Sequence, residues 1–171
     1  MPNNPLMKNA GVADSREQAL EYMENFVNPA DTYSSPARRE AFVDNIQPMM
    51  ELMAAQGMKY LRCPGYSDYY DTLPGGVAQG RSVQAELYNA NRLGEWKSRL
   101  RLPYIALPVR TSEGARLMTV GTTWAGKLML ARVGARFIAA KLTGRQMFGS
   151  GGALQGRMLE IALKLGVDIW T

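Results

Sequence analysis

Apolar residues in this chain recur mainly at three- and four-residue spacings, as on amphipathic helices, and alternate only briefly in the manner of strands. Ser15-x-x-Gln18 is a capping box, with Leu20, Met23 and Val27 following on one face. This predicts a helix that Asn28-Pro29 stops. Ser35-Pro36 opens the next one, a cap residue followed by proline at the first helical position. Its apolar face is predicted to be Phe42, Ile46, Met49 and Met53. Pro48 should kink this helix near Asp44, because its ring collides with the carbonyl four residues back. Gly57 is suited to end it.

Beyond Gly57 the pattern changes. Residues 58–61 read as a short strand, and 62–80 are rich in Pro, Gly, Asp and Tyr. That composition predicts an irregular loop, long enough to suspect of function. Residues 82–88 alternate as a strand with Val83, Ala85 and Leu87 on one face. A short helix is expected around 93–100, then a loop through Pro103 and Pro108. The longest later helix is predicted over 123–142, with Trp124, Leu128, Val133, Phe137 and Leu142 among its apolar positions. Gly149-Ser-Gly-Gly leads into a helix striped by Leu154, Met158, Ile161 and Leu165. Gly166 closes it, and Val167-Asp-Ile-Trp170 reads as the start of a strand. The expected fold is α+β and mainly helical, with a few short strands and no complete sheet of its own. No internal repeat and no interdomain linker is visible.

Composition narrows the chemistry. At 171 residues, with 46% apolar and 20% charged residues, the chain has the make-up of a globular protein with one core of ordinary size. No stretch approaches the ~18 apolar residues of a membrane span, and the N-terminus lacks signal-peptide features. Cys63 is the single cysteine, so no internal disulfide forms and a cytoplasmic setting is expected. The chain contains no histidine. That excludes His metal sites and Ser-His or Cys-His nucleophile pairs, leaving tyrosine, carboxylates or a bound cofactor to move protons and electrons.

Charge is uneven. Residues 1–91 carry 7 Lys/Arg against 11 Asp/Glu, and residues 92–146 carry 11 against 2. Such asymmetry can mark a nucleic-acid or anionic-membrane surface, or equally one half of a solvated or intramolecular interface facing an acidic surface elsewhere in the same protein. The basic residues are spaced singly, without interleaved stacking aromatics, which argues against nucleic acid as a partner.

Two motifs carry competing readings. Gly149-Ser-Gly151-Gly152-Ala-Leu-Gln-Gly156-Arg157 fails as a dinucleotide fingerprint, which needs glycine where Leu154 stands and a strand directly before it. It fails as a P-loop because Arg157-Met158 follows Gly156. Its glycines could receive an anion at a helix start or, the favoured reading, allow close packing. Tyr66-Ser-Asp-Tyr69-Tyr70-Asp71 before Leu73-Pro-Gly75-Gly76 is the densest polar-aromatic cluster. Its phenols could exchange a proton or line a pocket for a flat apolar ligand, or simply tie the loop to the core, and spacing alone favours the last. Cys63 has no base beside it and reads as an inert thiol.

Taken in order, several segments resemble FAD-dependent 3-ketosteroid dehydrogenases and their relatives among fumarate-reductase flavoproteins. They are Pro2-Asn-Asn-Pro5-Leu-Met-Lys with Ala10-Gly11, and Tyr66-Ser-Asp-Tyr-Tyr with Gly75-Gly76 and Gly80-Arg81-Ser82. Arg92-Leu-Gly94 with Leu100-Arg-Leu-Pro103 follows, then Gly151-Gly-Ala-Leu-x-Gly-Arg157 with Leu165-Gly-Val-Asp-Ile-Trp170. The resemblance covers nearly the whole chain and implies a nucleotide-binding domain with an inserted substrate domain. Residues 1–30 would flank the FAD-binding domain, 31–146 would form the substrate-binding (cap) region, and 147–171 would re-enter the FAD-binding domain. It implies dehydrogenation of the carbon–carbon bond beside a ketone of a flat, apolar, steroid-like substrate. Tyr69 would be the catalytic-site tyrosine supporting the base, Tyr66 and Tyr70 would line the substrate pocket, and Asn3 and Asn4 would lie at the cofactor.

The departures matter too. The Gly-x-Gly-x-x-Gly strand-turn is missing from this chain, so the FAD site would be incomplete here, and the rest of the FAD-binding domain would be a partner. The family's main base tyrosine and ketone-holding residues come later than Thr171, so the isolated chain is expected to be inactive. Ser67 stands where the family often has proline, residues 105–120 match weakly, and no fumarate-binding Arg and His are recognisable. The rival readings are a non-catalytic helical module binding through its basic 92–146 half, and a truncated product that aggregates through exposed apolar faces.

Overall fold

The computed structural model describes residues 1–28, 32–101 and 106–170. The expected stop at Pro29, Pro103 with its Leu100–Pro103 block, and the boundary at 30/31 fall wholly or partly outside the described residues. The chain forms two compact units, one of Met1–Ala55 with Leu61–Val83, the other of Gln56–Tyr60 with Gln84–Thr171. Among the described residues it is mainly helical with two small two-stranded sheets, β1 (Tyr60–Arg62) with β2 (Val83–Ala85) and β3 (Tyr88–Asn89) with β4 (Met147–Phe148). Among the described residues no helix is long and apolar enough to cross a membrane.

The first unit is helical because its caps and proline positions are explicit. After α1 (Pro5–Asn9), Ser15 Oγ accepts from the Gln18 N–H at 3.1 Å and starts α2 (Arg16–Phe26). The Ser15 N–H donates to the Asp14 carboxylate, not to Gln18, so the aspartate closes the cap. Ser35 caps α3 (Pro36–Asp44), and α4 (Ile46–Ala55) follows after Asn45. The proline effect is stronger than expected: the Pro48 ring opposes Asp44, and the helix is divided there rather than kinked. The inward face also differs, being Val43, Ile46 and Met50, with Phe42 and Met49 exposed. A break between the two helices changes the rotational phase that a continuous-helix reading assumes.

In the second unit the predicted strand over 82–88 is interrupted. Glu86 gives its N–H to the Lys59 carbonyl, its carboxylate accepts the Leu87 N–H, and the chain resumes as β3. Gln84 and Ala85 are both buried, so two-residue alternation fails. The 93–100 segment is a 3-10 helix, Ala90–Arg99, bent at Gly94, and a 3-10 turn (Thr111–Glu113) leads into α5 (Gly114–Met118). The long helix is α6 (Trp124–Leu142), capped by Thr123. The last helix is α7 (Ser150–Lys164), and residues 167–170 adopt no strand.

The core of this unit is set by contact of α7 with β3. β3 and β4 pair antiparallel with Tyr88 opposite Phe148, and Tyr88 is 1% exposed. A Cβ on Gly156 would stand 2.5 Å from the Tyr88 ring, and one on Gly149 would strike the Val109 carbonyl. Close packing therefore accounts for these glycines. A two-residue strand does precede this turn, contrary to the sequence reading, but it pairs antiparallel and the turn lacks the third glycine. Arg157 spans the Tyr88 ring at 5.4 Å and donates to the Leu87 carbonyl at 2.9 Å, so it braces backbone. The inward face of α7 is Ala153, Gly156 and Ile161, while Leu154, Met158 and Leu165 are exposed.

A partly buried ionic chain centred on Glu113 ties the 3-10 turn and α6 together. Arg110 grips Glu86 through two hydrogen bonds of 2.8 and 2.9 Å, and Arg136 donates to Glu113 at 2.6 Å. Burial alone would push the Glu113 carboxyl up. The Arg136 hydrogen bond, the Arg110 N–H and both positive charges outweigh that and hold it below the usual range.

The Tyr88 hydroxyl is buried without a hydrogen bond, and burial, with the Glu160 carboxylate nearby, raises its pKa to about 12. Tyr88→Phe is therefore expected to leave stability at neutral pH unchanged or raise it by up to about 1 kcal/mol. The unfolded phenol ionises near pH 10 and the folded one near 12. Its stabilising contribution is complete below the lower value and lost as pH rises through that window, so denaturation curves of Tyr88→Phe should fall less steeply there. Gly156→Ala, which drives a methyl into the same ring, should cost about 1–3 kcal/mol in urea unfolding.

Candidate functional site

The loop over 63–82 contains no helix or strand, yet it is fastened in the first unit at nearly every turn. Arg81 is the fastening point, 3% exposed. Its Nε and Nη2 donate to Asp14 at 3.0 and 2.7 Å, Nη1 to Asp68 at 2.6 Å, and Nη2 also to the Gly75 carbonyl at 2.9 Å. The guanidinium lies 5.4 Å from the centre of the Tyr22 ring on α2. Burial opposes its charge, but the two carboxylates more than offset this and keep it protonated.

Asp68 extends that grip. Its Oδ2 accepts the Val77 N–H at 3.1 Å while its own N–H donates to the Val77 carbonyl at 3.2 Å. The loop is thus folded back on itself, and Ser67 in place of proline leaves its neighbour Asp68 tied. Two glycines make the tight approaches possible. Gly75 (φ 76°) lies against the α2 backbone at Gln18 and Tyr22, and Gly80 (φ 75°) against the Tyr66 carbonyl, where any Cβ would collide.

This frame displays the tyrosines differently. Tyr69 is wholly exposed. Tyr70 is half-exposed, its N–H donating to the Tyr22 hydroxyl at 3.2 Å and its ring tilted against Phe26 at 5.3 Å. Phe26 in turn stacks on Tyr22 at 6.0 Å, so Tyr22, Phe26 and Tyr70 form one aromatic row. Tyr66 is partly buried. A cleft of about 590 Å³ opens beside the loop, lined by Val12, Ala13, Gln18, Asp71, Gly76 and Gln79 among others; none of the three tyrosines lines it. Cys63 is buried, which pushes its thiol pKa up against the opposing charge of Arg62.

The two asparagines have distinct surroundings. Asn4 is 2% exposed; its side-chain oxygen accepts from Leu6 and Met7 N–H groups and its amide donates to the Met1 carbonyl. It is occupied in starting α1. Asn3 is exposed, held at φ 49° with its N–H on the Asp14 carboxylate. The Asn3 side chain is thus presented by a turn that Asn4 and Asp14 fix. Among the described residues no group of three His, Cys, Asp or Glu side chains comes together as a metal site.

The tyrosines and Gly80-Arg81 stand out in the sequence, whereas nothing local marks Asp14 or Tyr22 as neighbours of Arg81. Asp14 lies 67 residues from Arg81, and no local pattern links them. Replacing Arg81 by leucine strands Asp14 and Asp68 without their cation. The expected loss is about 3–5 kcal/mol in chemical unfolding, with faster proteolytic cutting within 66–80.

Comparison with known proteins gives this arrangement a family. The model of an FAD binding domain matches residues 1–171. The chain is 33% identical to the 3-oxosteroid 1-dehydrogenase of Mycobacterium tuberculosis over 174 residues, covering 99% of this chain and 30% of that protein. It is 31% identical to the Mycolicibacterium smegmatis enzyme of the same name, covering 90% and 27%. Its fold is similar to the crystal structure of 3-ketosteroid delta1-dehydrogenase from Sterolibacterium denitrificans in complex with 1,4-androstadiene-3,17-dione. That likeness has TM-score 0.80 at 23% identity, over 99% of this chain and 31% of the other. The chain thus spans under a third of the length of these relatives. On the match over its whole length, the chain belongs to the FAD binding domain family, whose cofactor is FAD, and it is similar to one stretch of the 3-ketosteroid dehydrogenases.

Proposed function

We propose that this chain is part of an FAD-dependent oxidoreductase that dehydrogenates the carbon–carbon bond beside a ketone in a flat, apolar, steroid-like substrate. The observation that carries the reading is the family match along all 171 residues, joined to a loop that is pinned by Arg81 yet leaves Tyr69 open. Residues 31–146 form the substrate-binding region, and 1–30 and 147–171 border the FAD-binding domain, whose remainder is the chain's partner. Neither nucleic acid nor a membrane span has a part in it, and a single buried cysteine suits a cytoplasmic setting.

Bound FAD supplies the hydride acceptor for such a dehydrogenation. The residues of this chain do the positioning. Asn3 lies at the cofactor edge, on the turn that Asn4 secures. Tyr69 supports the base that takes the substrate proton: a phenol hydrogen-bonded to a second phenol orients it and favours its ionised form. Tyr66 and Tyr70 provide apolar ring surface with a polar tip against the flat substrate. Pinning by Arg81 matters because a supporting hydroxyl misplaced by about 1 Å loses much of its effect.

Because Tyr69 is wholly exposed, Tyr69→Phe should change stability by less than about 0.5 kcal/mol, so a change in activity reports its role. In the full-length enzyme with a 3-ketosteroid and an artificial electron acceptor, turnover is expected to fall about tenfold or more. The pH–rate profile should move to higher pH while KM changes little. Full activity with an unmoved profile would remove Tyr69 from this role.

A further inference from the structure

Tyr69 is wholly exposed, so no packing of its own side chain fixes where its hydroxyl stands. The backbone on either side must do so. Upstream, Asp68 is clamped: its N–H donates to the Val77 carbonyl, and its carboxylate accepts from the Val77 N–H and the Arg81 guanidinium. Downstream, the peptide that joins Tyr69 to Tyr70 gives its N–H to the Tyr22 hydroxyl at 3.2 Å, across 48 residues of sequence. Each residue has only two soft backbone torsions, so fixing the peptide planes on both sides of Tyr69 fixes the direction in which its side chain leaves the loop.

Tyr22 is anchored where such a tether is needed. It lies in the second turn of α2, half-buried, and the loop meets it in three ways. The Arg81 guanidinium lies 5.4 Å from the centre of its ring. Gly75 seats on its backbone, where a Cβ would stand 2.5 Å from the Tyr22 nitrogen. The hydroxyl then takes the Tyr70 N–H, while Phe26, one turn on, stacks on Tyr22 at 6.0 Å and meets the Tyr70 ring at 5.3 Å. Ring packing and the cation contact would be served equally well by phenylalanine. The hydroxyl is the informative group, because its hydrogen bond is directional and sets the rotation of the Tyr69–Tyr70 peptide, which ring contacts leave free.

We propose that Tyr22 is a positioning residue for the dehydrogenation: its hydroxyl holds the Tyr69–Tyr70 peptide and thereby aims Tyr69 at the base that takes the substrate proton. Tyr22 acts through Tyr69, so the proposal rests on the role given to Tyr69. Asp68 and Tyr22 are then the two ends of one mount, the first held by Arg81 and the second by α2.

Tyr22→Phe keeps the ring and removes only the acceptor. In the 171-residue chain the Tyr70 amide should exchange with solvent about tenfold faster, with the urea midpoint nearly unchanged. In the full-length enzyme with a 3-ketosteroid and an artificial electron acceptor, kcat should fall about fivefold at little-changed KM. The pH–rate profile should move to higher pH, by less than in Tyr69→Phe. Added to Tyr69→Phe, the Tyr22→Phe change should cost nothing further, because the two act as one unit. Full kcat in Tyr22→Phe, a multiplicative loss in the double variant or an unchanged Tyr70 exchange rate overturns the proposal. So does a lower kcat with an unmoved profile and a lowered urea midpoint, since Tyr22 would then only support the fold. Tyr69→Phe alone tells the two failures apart: a loss there with none in Tyr22→Phe removes Tyr22 only, whereas full activity of Tyr69→Phe removes both roles.

Discussion

The geometry of the aromatic loop hangs on one buried cation. The Arg81 guanidinium takes two hydrogen bonds to Asp14, one to Asp68 and one to the Gly75 carbonyl while lying over Tyr22. A planar fork with five donors can satisfy two carboxylates and a carbonyl at once, which a lysine ammonium could not match in geometry. The carboxylates come from both sides of the loop's anchorage, Asp14 before α2 and Asp68 inside the loop. Local folding energy would not hold such a Pro- and Gly-rich segment in one shape. A desolvated ion cluster does, because withdrawing Asp68 would leave the buried Arg81 charge short of a partner.

The second unit reaches a similar end by packing. Its Gly-rich helix start looks chemical in sequence and is steric in the structure: Gly156 admits the Tyr88 ring and Gly149 admits the Val109 carbonyl. Arg157 then covers the ring and ties down the Leu87 carbonyl. The unbonded Tyr88 hydroxyl is the cost of using a tyrosine as a core residue there. The Glu86–Arg110 and Glu113–Arg136 pairs fasten the segment before α5 to the residues just before β3 and to α6.

Family membership and side-chain geometry answer different questions about this chain. The match over residues 1–171 identifies FAD as the family's cofactor. The geometry shows which residues of this chain are free to meet other molecules. Tyr69 and Asn3 are, whereas Asn4 and Arg81 are spent on holding turns. Side chains displayed on internally satisfied supports can be met by another surface without refolding.

Much of the helical frame was legible in the residues themselves. Ser15, Ser35-Pro36 and Gly166 mark real helix ends, because capping and proline geometry act within four residues and need no tertiary help. The irregular 62–80 segment was equally plain, since Pro, Gly and Asp disfavour both ladders. Periodicity misled where an apolar stripe faced outward: Phe42, Leu154, Met158, Trp124, Leu128 and Leu142 are all exposed. Alternation failed in residues 82–88 because Glu86 spends its backbone and side chain on bonds to Lys59 and Leu87. By itself, then, the sequence determined the positions and limits of most helices, the loop and the absence of histidine chemistry. Which face of each helix is buried, and that Asp14 should meet Arg81 across 67 residues, only the tertiary structure decided. Burial and ion pairing depend on what lies opposite in space, and local spacing carries no record of that.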